Sequence, residues 1–108
     1  MLLRRLAPFA AIAGTLLSVL SPASAAPHTY TIVIDQMRYA PAPAGLRKGD
    51  LILWVNHDFL RHTATANDHS FDVDLPAGAA KKTLLSKAGS IAFSCRFHPG
   101  MKGVLQVQ

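Results

Sequence analysis

The 108-residue chain contains no glutamate, one cysteine and one tryptophan, and all six of its acidic residues are Asp. A single Cys excludes any intrachain disulfide. The six Asp are scattered, with no Ser/His/Asp set and no paired carboxylates at an interpretable spacing, which speaks against a hydrolase. Aromatic residues are not interleaved with Arg as a nucleic-acid reader would need, so no nucleic acid is expected as partner. Charged residues make up only 16% of the chain against 50% hydrophobic residues, and that balance excludes a disordered chain and fits one small folded domain.

Much of the apolar excess lies at the start. Met1-Leu-Leu-Arg4-Arg5 is a short basic segment, Leu6 to Leu20 is apolar, and Ala23-Ser24-Ala25 has the small-x-small form of a signal-peptidase site. The apolar run contains Pro8 and Gly14, is shorter than the roughly 20 residues a spanning helix needs, and is followed by small residues rather than positive charges. Residues 1–25 are therefore expected to be a secretory signal peptide and not an anchor, leaving residues 26–108 as the domain. No Cys lies in the leader to carry a lipid, and Arg4-Arg5 fits the general or the twin-arginine export route equally. The expected location is exported, in a bacterial periplasm, with no stable membrane insertion once the signal is removed. Without Arg4 and Arg5 nine basic residues face six Asp, a mild positive balance that could steer an acidic partner or simply keep the surface soluble.

Cleavage after Ala25 leaves 83 of the 108 residues, small for a core with no disulfide, so a metal that binds only the folded state would add useful stability. The lone thiol points the same way. An exposed free Cys is open to oxidation in an exported protein, whereas a metal thiolate is protected; the plain alternative is a buried Cys serving as a small hydrophobe.

The neighbours of that Cys favour the metal. Cys95-Arg-Phe-His98-Pro-Gly-Met101 places a thiolate, an imidazole and a thioether at C-x-x-H-x-x-M, between the strand-like Ile91-Ala-Phe-Ser94 and Val104-Leu-Gln-Val107. Two His and one Cys with a weak Met is a copper arrangement, and tetrahedral zinc rarely uses Met. A second imidazole must come from His28, His57, His62 or His69. His62 stands out because it follows the apolar run Leu51 to Val55 and a polar turn, and opens the stretch Thr63-Ala-Thr65, where a strand mouth can hold a ligand rigidly. His57 is a competing imidazole or a turn residue, His69 reads as loop surface, and His28 as an adventitious Cu(II) site. Met37 is a second thioether, read as a strand-end core residue.

The rest of the chain reads as short strands between turns. His28 to Ile34 is β-branched and alternating, with Tyr30, Ile32 and Ile34 on one face. Tyr39 to Gly45 carries Pro41 and Pro43 and is expected to be a loop or an edge. Leu51–Asn56, Phe71–Leu75, Lys81–Leu85 and Ser90–Cys95 follow at the spacing of an all-β sandwich; a helix over Ala77 to Lys87 is the weaker alternative there.

Gly49-Asp50 leading into Leu51-Ile-Leu-Trp54-Val-Asn56, then His62-Thr63, then Cys95-x-x-His98-x-x-Met101 together resemble the small cupredoxins, nearest in loop length to the amicyanin and pseudoazurin branch of the plastocyanin group. The resemblance spans Tyr30 to Val107. It implies a Greek-key β-sandwich of about seven to eight strands, one type 1 copper held by His62, Cys95, His98 and Met101, a backbone N–H of Thr63 given to the Cys sulfur, and Asn56 supporting the ligand loop. It implies a monomeric electron shuttle between Cu(II) and Cu(I), not an enzyme, with His98 as the electron exit in an apolar docking patch of Leu60, Phe97 and Pro99, for which Met37 is a further candidate. Its expected partners are transient redox proteins such as a cytochrome or a periplasmic dehydrogenase; a periplasmic copper carrier or chaperone is the alternative. Multicopper oxidases and copper nitrite reductases need motifs such as His-Cys-His, and here Ser94 and Arg96 flank the Cys; a dinuclear copper centre needs two Cys. Arg96-Phe97 departs from the family, which favours smaller residues or Pro there.

Overall fold

The structure, a computed structural model, describes residues 2–18 and 26–108. Eight strands follow in chain order: β1 (Thr29–Asp35), β2 (Arg38–Tyr39), β3 (Leu51–Asn56), β4 (His62–Ala66), β5 (Asp72–Leu75), β6 (Ala80–Leu84), β7 (Gly89–Ser94) and β8 (Lys102–Val107). They form two four-stranded sheets of order β2-β1-β3-β6 and β5-β4-β7-β8, with no helix among the described residues. The expected all-β Greek-key sandwich is the fold of this chain.

Period-two alternation explains why the sheets face each other. Ile32 and Ile34 of β1, Ile52 and Trp54 of β3, Val73 and Leu75 of β5, Ile91 and Phe93 of β7, and Leu105 and Val107 of β8 are all buried, while their alternating neighbours are more exposed. Each fully buried large side chain contributes about 1.5–3 kcal/mol relative to exposure. At the centre Trp54 meets Phe93 edge-on at 5.2 Å between centroids and donates its indole N–H to Thr83 Oγ1 at 3.1 Å, so the one polar atom of the ring is satisfied.

β1 runs parallel to β3, with Thr29 opposite Leu51 and Ile34 opposite Asn56. The other pairings between strands are antiparallel. β7 and β8 pair from Gly89–Val107 to Ser94–Lys102, so β8 starts two residues before the expected Val104. The reason is local: the Cys95 amide bonds the Met101 carbonyl at 3.2 Å and closes the ladder at once.

The segment read as strand or helix over Ala77 to Lys87 is the edge strand β6, which carries exposed Lys81 and Lys82, charges that discourage further edge pairing. The Pro-containing stretch after Tyr39 is indeed a loop, and β2 is an edge strand of two residues. Residues 2–18 form neither helix nor strand, and their large apolar side chains stand exposed outside the core. No helix among the described residues is long and apolar enough to cross a membrane. The expected cleavage signal, Ala23 to Ala25, lies outside the described residues.

Candidate metal centre

One end of the sandwich is closed by three connections: the β1–β2 turn, the β3–β4 loop and the β7–β8 loop. His62 is the first residue of β4 and is fully buried. Cys95 directly follows β7 and is 2% exposed. The His62 Nδ1 stands 3.8 Å from the Cys95 Sγ, and the Thr63 backbone N–H donates to the same sulfur at 3.4 Å. Because β4 and β7 are hydrogen-bonded neighbours, with Thr65 opposite Ser94, the ladder itself sets the His62 and Cys95 ends side by side.

The β7–β8 loop is short and tied twice. The Met101 amide bonds the His98 carbonyl at 2.9 Å, and the Arg96 amide bonds Thr63 Oγ1 at 3.0 Å, joining the two loops. His98 is half-buried and its ring meets that of His62 edge-on, 5.0 Å between centroids. Met101 is buried at the loop's end. Among the described residues no three His, Cys, Asp or Glu side chains are already gathered tightly on one point; the soft donors are instead brought to one end by two loops. A thiol shielded from water, an imidazole with a ring nitrogen towards it, a second imidazole beside the first and a buried thioether form a set that fits one soft metal ion.

His62 is held from behind. Its Nε2 is 2.7 Å from Asp58 Oδ2, four residues earlier in the β3–β4 loop. The Asp58 carboxylate also accepts the backbone N–H groups of Gln36 at 2.8 Å and Met37 at 3.0 Å. Burial pushes the Asp58 carboxyl up, but the Met37 N–H, the His62 ring and the Gln36 N–H outweigh it and hold it below the usual range. Buried Asn56 organises the same loop: its Oδ1 accepts the Asp58 N–H at 2.8 Å and its Nδ2 donates to the carbonyls of Leu60 at 2.8 Å and Leu75 at 3.0 Å. Tyr39 braces β4 from the opposite sheet by donating its hydroxyl to the Thr63 carbonyl. Burial, and secondarily the negative charge of the Cys95 thiolate, hold that phenol well above its ordinary range.

Asp58 and Tyr39 were missed by reading the sequence. For Asp58 a weak signal exists, a carboxylate four residues before a candidate ligand in Asn56-His-Asp58. Met37 is not the core residue expected: it is 37% exposed, in the two-residue β1–β2 turn, with φ of 61° beside Gln36 at 51°. Paired positive φ values are what a tight hairpin turn demands. The other imidazoles lie elsewhere. His57 and His28 are exposed, and His69 is an exposed loop residue with φ of 63°.

Leu60 on the β3–β4 loop and Phe97 and Pro99 on the β7–β8 loop are exposed, and Phe59, which the sequence reading passed over and which precedes Leu60 in the chain, is 99% exposed. The Arg61 guanidinium lies over the Phe97 ring at 5.1 Å and is held there by a two-point pair with Asp74, 2.7 and 2.6 Å.

Two sheets packed face to face, with soft donors collected on loops at one end, define a class of small metal-binding β-sandwich. The family model of the cupredoxin-like domain matches residues 8–107, and the chain belongs to that family. No curated protein sequence matches it. Among solved structures it is similar to the reduced state of an amicyanin mutant (22% identity over 74% of this chain and 82% of that one, TM-score 0.64). A copper(I) form of another amicyanin mutant matches at 21% identity over 74% and 82%, with a TM-score of 0.63. The amicyanin of Paracoccus versutus matches at 21% over 81% and 86%, with a TM-score of 0.61. These likenesses establish the shared fold.

Proposed function

We propose that this protein is an exported carrier of single electrons that holds one copper ion through His62, Cys95, His98 and Met101. The observation that carries the reading is the buried Cys95 sulfur, with the His62 Nδ1 at 3.8 Å and the Thr63 N–H at 3.4 Å. When bound, copper supplies a one-electron couple between Cu(II) and Cu(I). The chain's task is to keep the donors still while the charge changes. Two loops tied to each other through Arg96 N–H and Thr63 Oγ1, on strands of a packed sandwich, resist rearrangement, and the Thr63 N–H stabilises negative charge on sulfur.

Half-buried His98 is flanked in its loop by exposed Phe97 and Pro99, and Phe59 and Leu60 are exposed on the β3–β4 loop. This supports a role for His98 as the electron exit and for these apolar side chains as the docking face of a transient redox partner, such as a cytochrome or a periplasmic dehydrogenase. Exposed apolar surface of this kind suits brief encounters that must also end. The protein works as a monomer and is no enzyme in this reading. Residues 1–25 are its secretory signal and residues 26–108 its working domain in the bacterial periplasm, a proposal that suits the exposure of the apolar side chains in residues 2–18.

Titration of the protein with Cu(II), followed in the visible region beside a Cys95→Ser variant, tests this. The expected result is an intense blue thiolate band at one equivalent, bleached by ascorbate, restored by an oxidant and missing in the variant. Colourless binding that survives the substitution overturns the shuttle in favour of a His-based copper carrier.

A further inference from the structure

The carboxylate behind His62 is more than a loop fastening. A His that binds a metal through one ring nitrogen is oriented, and its tautomer chosen, by what the other nitrogen donates to. The fully buried His62 has Nδ1 at 3.8 Å from Cys95 Sγ and Nε2 at 2.7 Å from Asp58 Oδ2. The Asp58 side chain itself is only 13% exposed.

We infer that Asp58 is a positioning residue of the centre: it takes the N–H of His62 Nε2, leaves the Nδ1 lone pair free towards Cys95, and with its negative charge favours the more positive oxidised state of the site. The inference rests on His62 and Cys95 being copper ligands. Its physical content is separable from that reading, because the tautomer is a property of the metal-free protein.

Three features make the carboxylate a fixed element. Its two oxygens are pinned by Gln36 N–H and Met37 N–H, and its own amide is pinned by Asn56 Oδ1. The donors Gln36 and Met37 sit in the left-handed region at φ 51° and 61°, a conformation that is unfavourable for residues with a Cβ and persists where surrounding bonds hold it. Seen from the other side, the strained β1–β2 turn delivers two N–H groups to one carboxylate, and the carboxylate transmits that rigidity to the imidazole. A largely shielded anion one hydrogen bond from a ligand ring raises the ring's basicity and lowers the energy of the site's higher-charge state.

The test uses Asp58→Asn, which keeps the shape and removes the charge, and Asp58→Glu, which restores the charge. Two quantities are read at one fixed pH. In metal-free protein, nitrogen-15 spectra of the His62 ring should show a proton on Nε2 and none on Nδ1 in the wild type, and a mixture of tautomers in Asp58→Asn. In copper-loaded protein, Asp58→Asn should bind Cu(II) about 10- to 100-fold more weakly, with Cu(I) less affected. Each tenfold change in the ratio of the two affinities raises the midpoint potential by about 59 mV. Asp58→Glu should recover most of the shift.

A variant that loses thermal stability while its tautomer and potential match the wild type overturns the inference and leaves Asp58 a clamp for the turn. If the wild type itself develops no thiolate band, the copper reading has failed, and the metal-free spectra still decide the tautomer. A wild-type ring protonated on Nδ1 would overturn the inference there.

Discussion

At the scale of single residues, the site is crowded in places where the sequence gives little sign of crowding. Gly103 of β8 is one. A Cβ there would lie 2.3 Å from Phe93 Cζ, with two further ring carbons inside 3 Å, so the ring lies flat on bare backbone. Phe93 cannot retreat, because it is buried between Tyr39 at 4.8 Å and Trp54 at 5.2 Å, and it stands in β7 two residues before Cys95, which directly follows that strand. Gly103→Ala should therefore cost about 1–3 kcal/mol, the usual penalty for overpacking a well-packed core, read from the shift in urea midpoint at unchanged slope. A loss of less than a few tenths would mean that the strand gives way instead of the ring. Gly103 has no sequence signature because its partner is ten residues away on a neighbouring strand, and pairing across a sheet does not register in local composition.

At the scale of elements, β1 and β3 were readable because alternation of apolar and polar residues is a local pattern, and the β7–β8 loop because its three soft donors are packed into seven residues. The β1–β2 turn was not readable: Gln36-Met37 lacks the Gly or Asn that announces positive φ, and its conformation is imposed from the β3–β4 loop by Asp58. The opposite end of β3 offers a cleaner case of a carboxylate organising strands. Asp50 accepts the His28 N–H at 3.0 Å and the Arg47 N–H at 2.9 Å, tying the entry of β1 to that of β3. Those two N–H groups, His28's first, hold its carboxyl below the ordinary range. A carboxyl depressed in the folded state contributes stability that is complete above its unfolded value of about 3.9 and is lost as pH falls through the folded value. Asp50→Asn should accordingly melt below the wild type at pH 7, and the difference should narrow at pH 3. A constant difference at both pH values would show that the carboxylate's charge contributes nothing.

At the scale of the whole molecule, chemistry and contact are gathered at one end. β3 enters at Asp50 and leaves at Asn56; β4 begins with His62; β7 ends before Cys95. The topology thus places the candidate metal ligands and the Asp58 support at the end where strands hand over to short loops, with Cys95 and Met101 at the margin of the core. Phe59 shows how far the make-up of a surface escapes sequence reading. A Phe in a loop is compositionally indistinguishable from one that folds back into the core, and only the structure places it in solvent at 99% exposure. A fully exposed aromatic beside Leu60 contributes little to stability, so its substitution separates docking from folding. Phe59→Ser should leave the melting temperature and the midpoint potential within error of the wild type. It should slow electron self-exchange between the Cu(I) and Cu(II) forms about tenfold, the size of one interface anchor worth about 1.4 kcal/mol. Line broadening in mixtures of the two redox forms measures that rate directly. Because two copies of a protein with a mild excess of basic residues repel each other, the rate should rise with added salt for wild type and variant alike, while the ratio between them stays constant. A self-exchange rate indifferent to Phe59 would move the docking face off the β3–β4 loop, and Phe97 and Pro99 on the ligand loop would be left to form it.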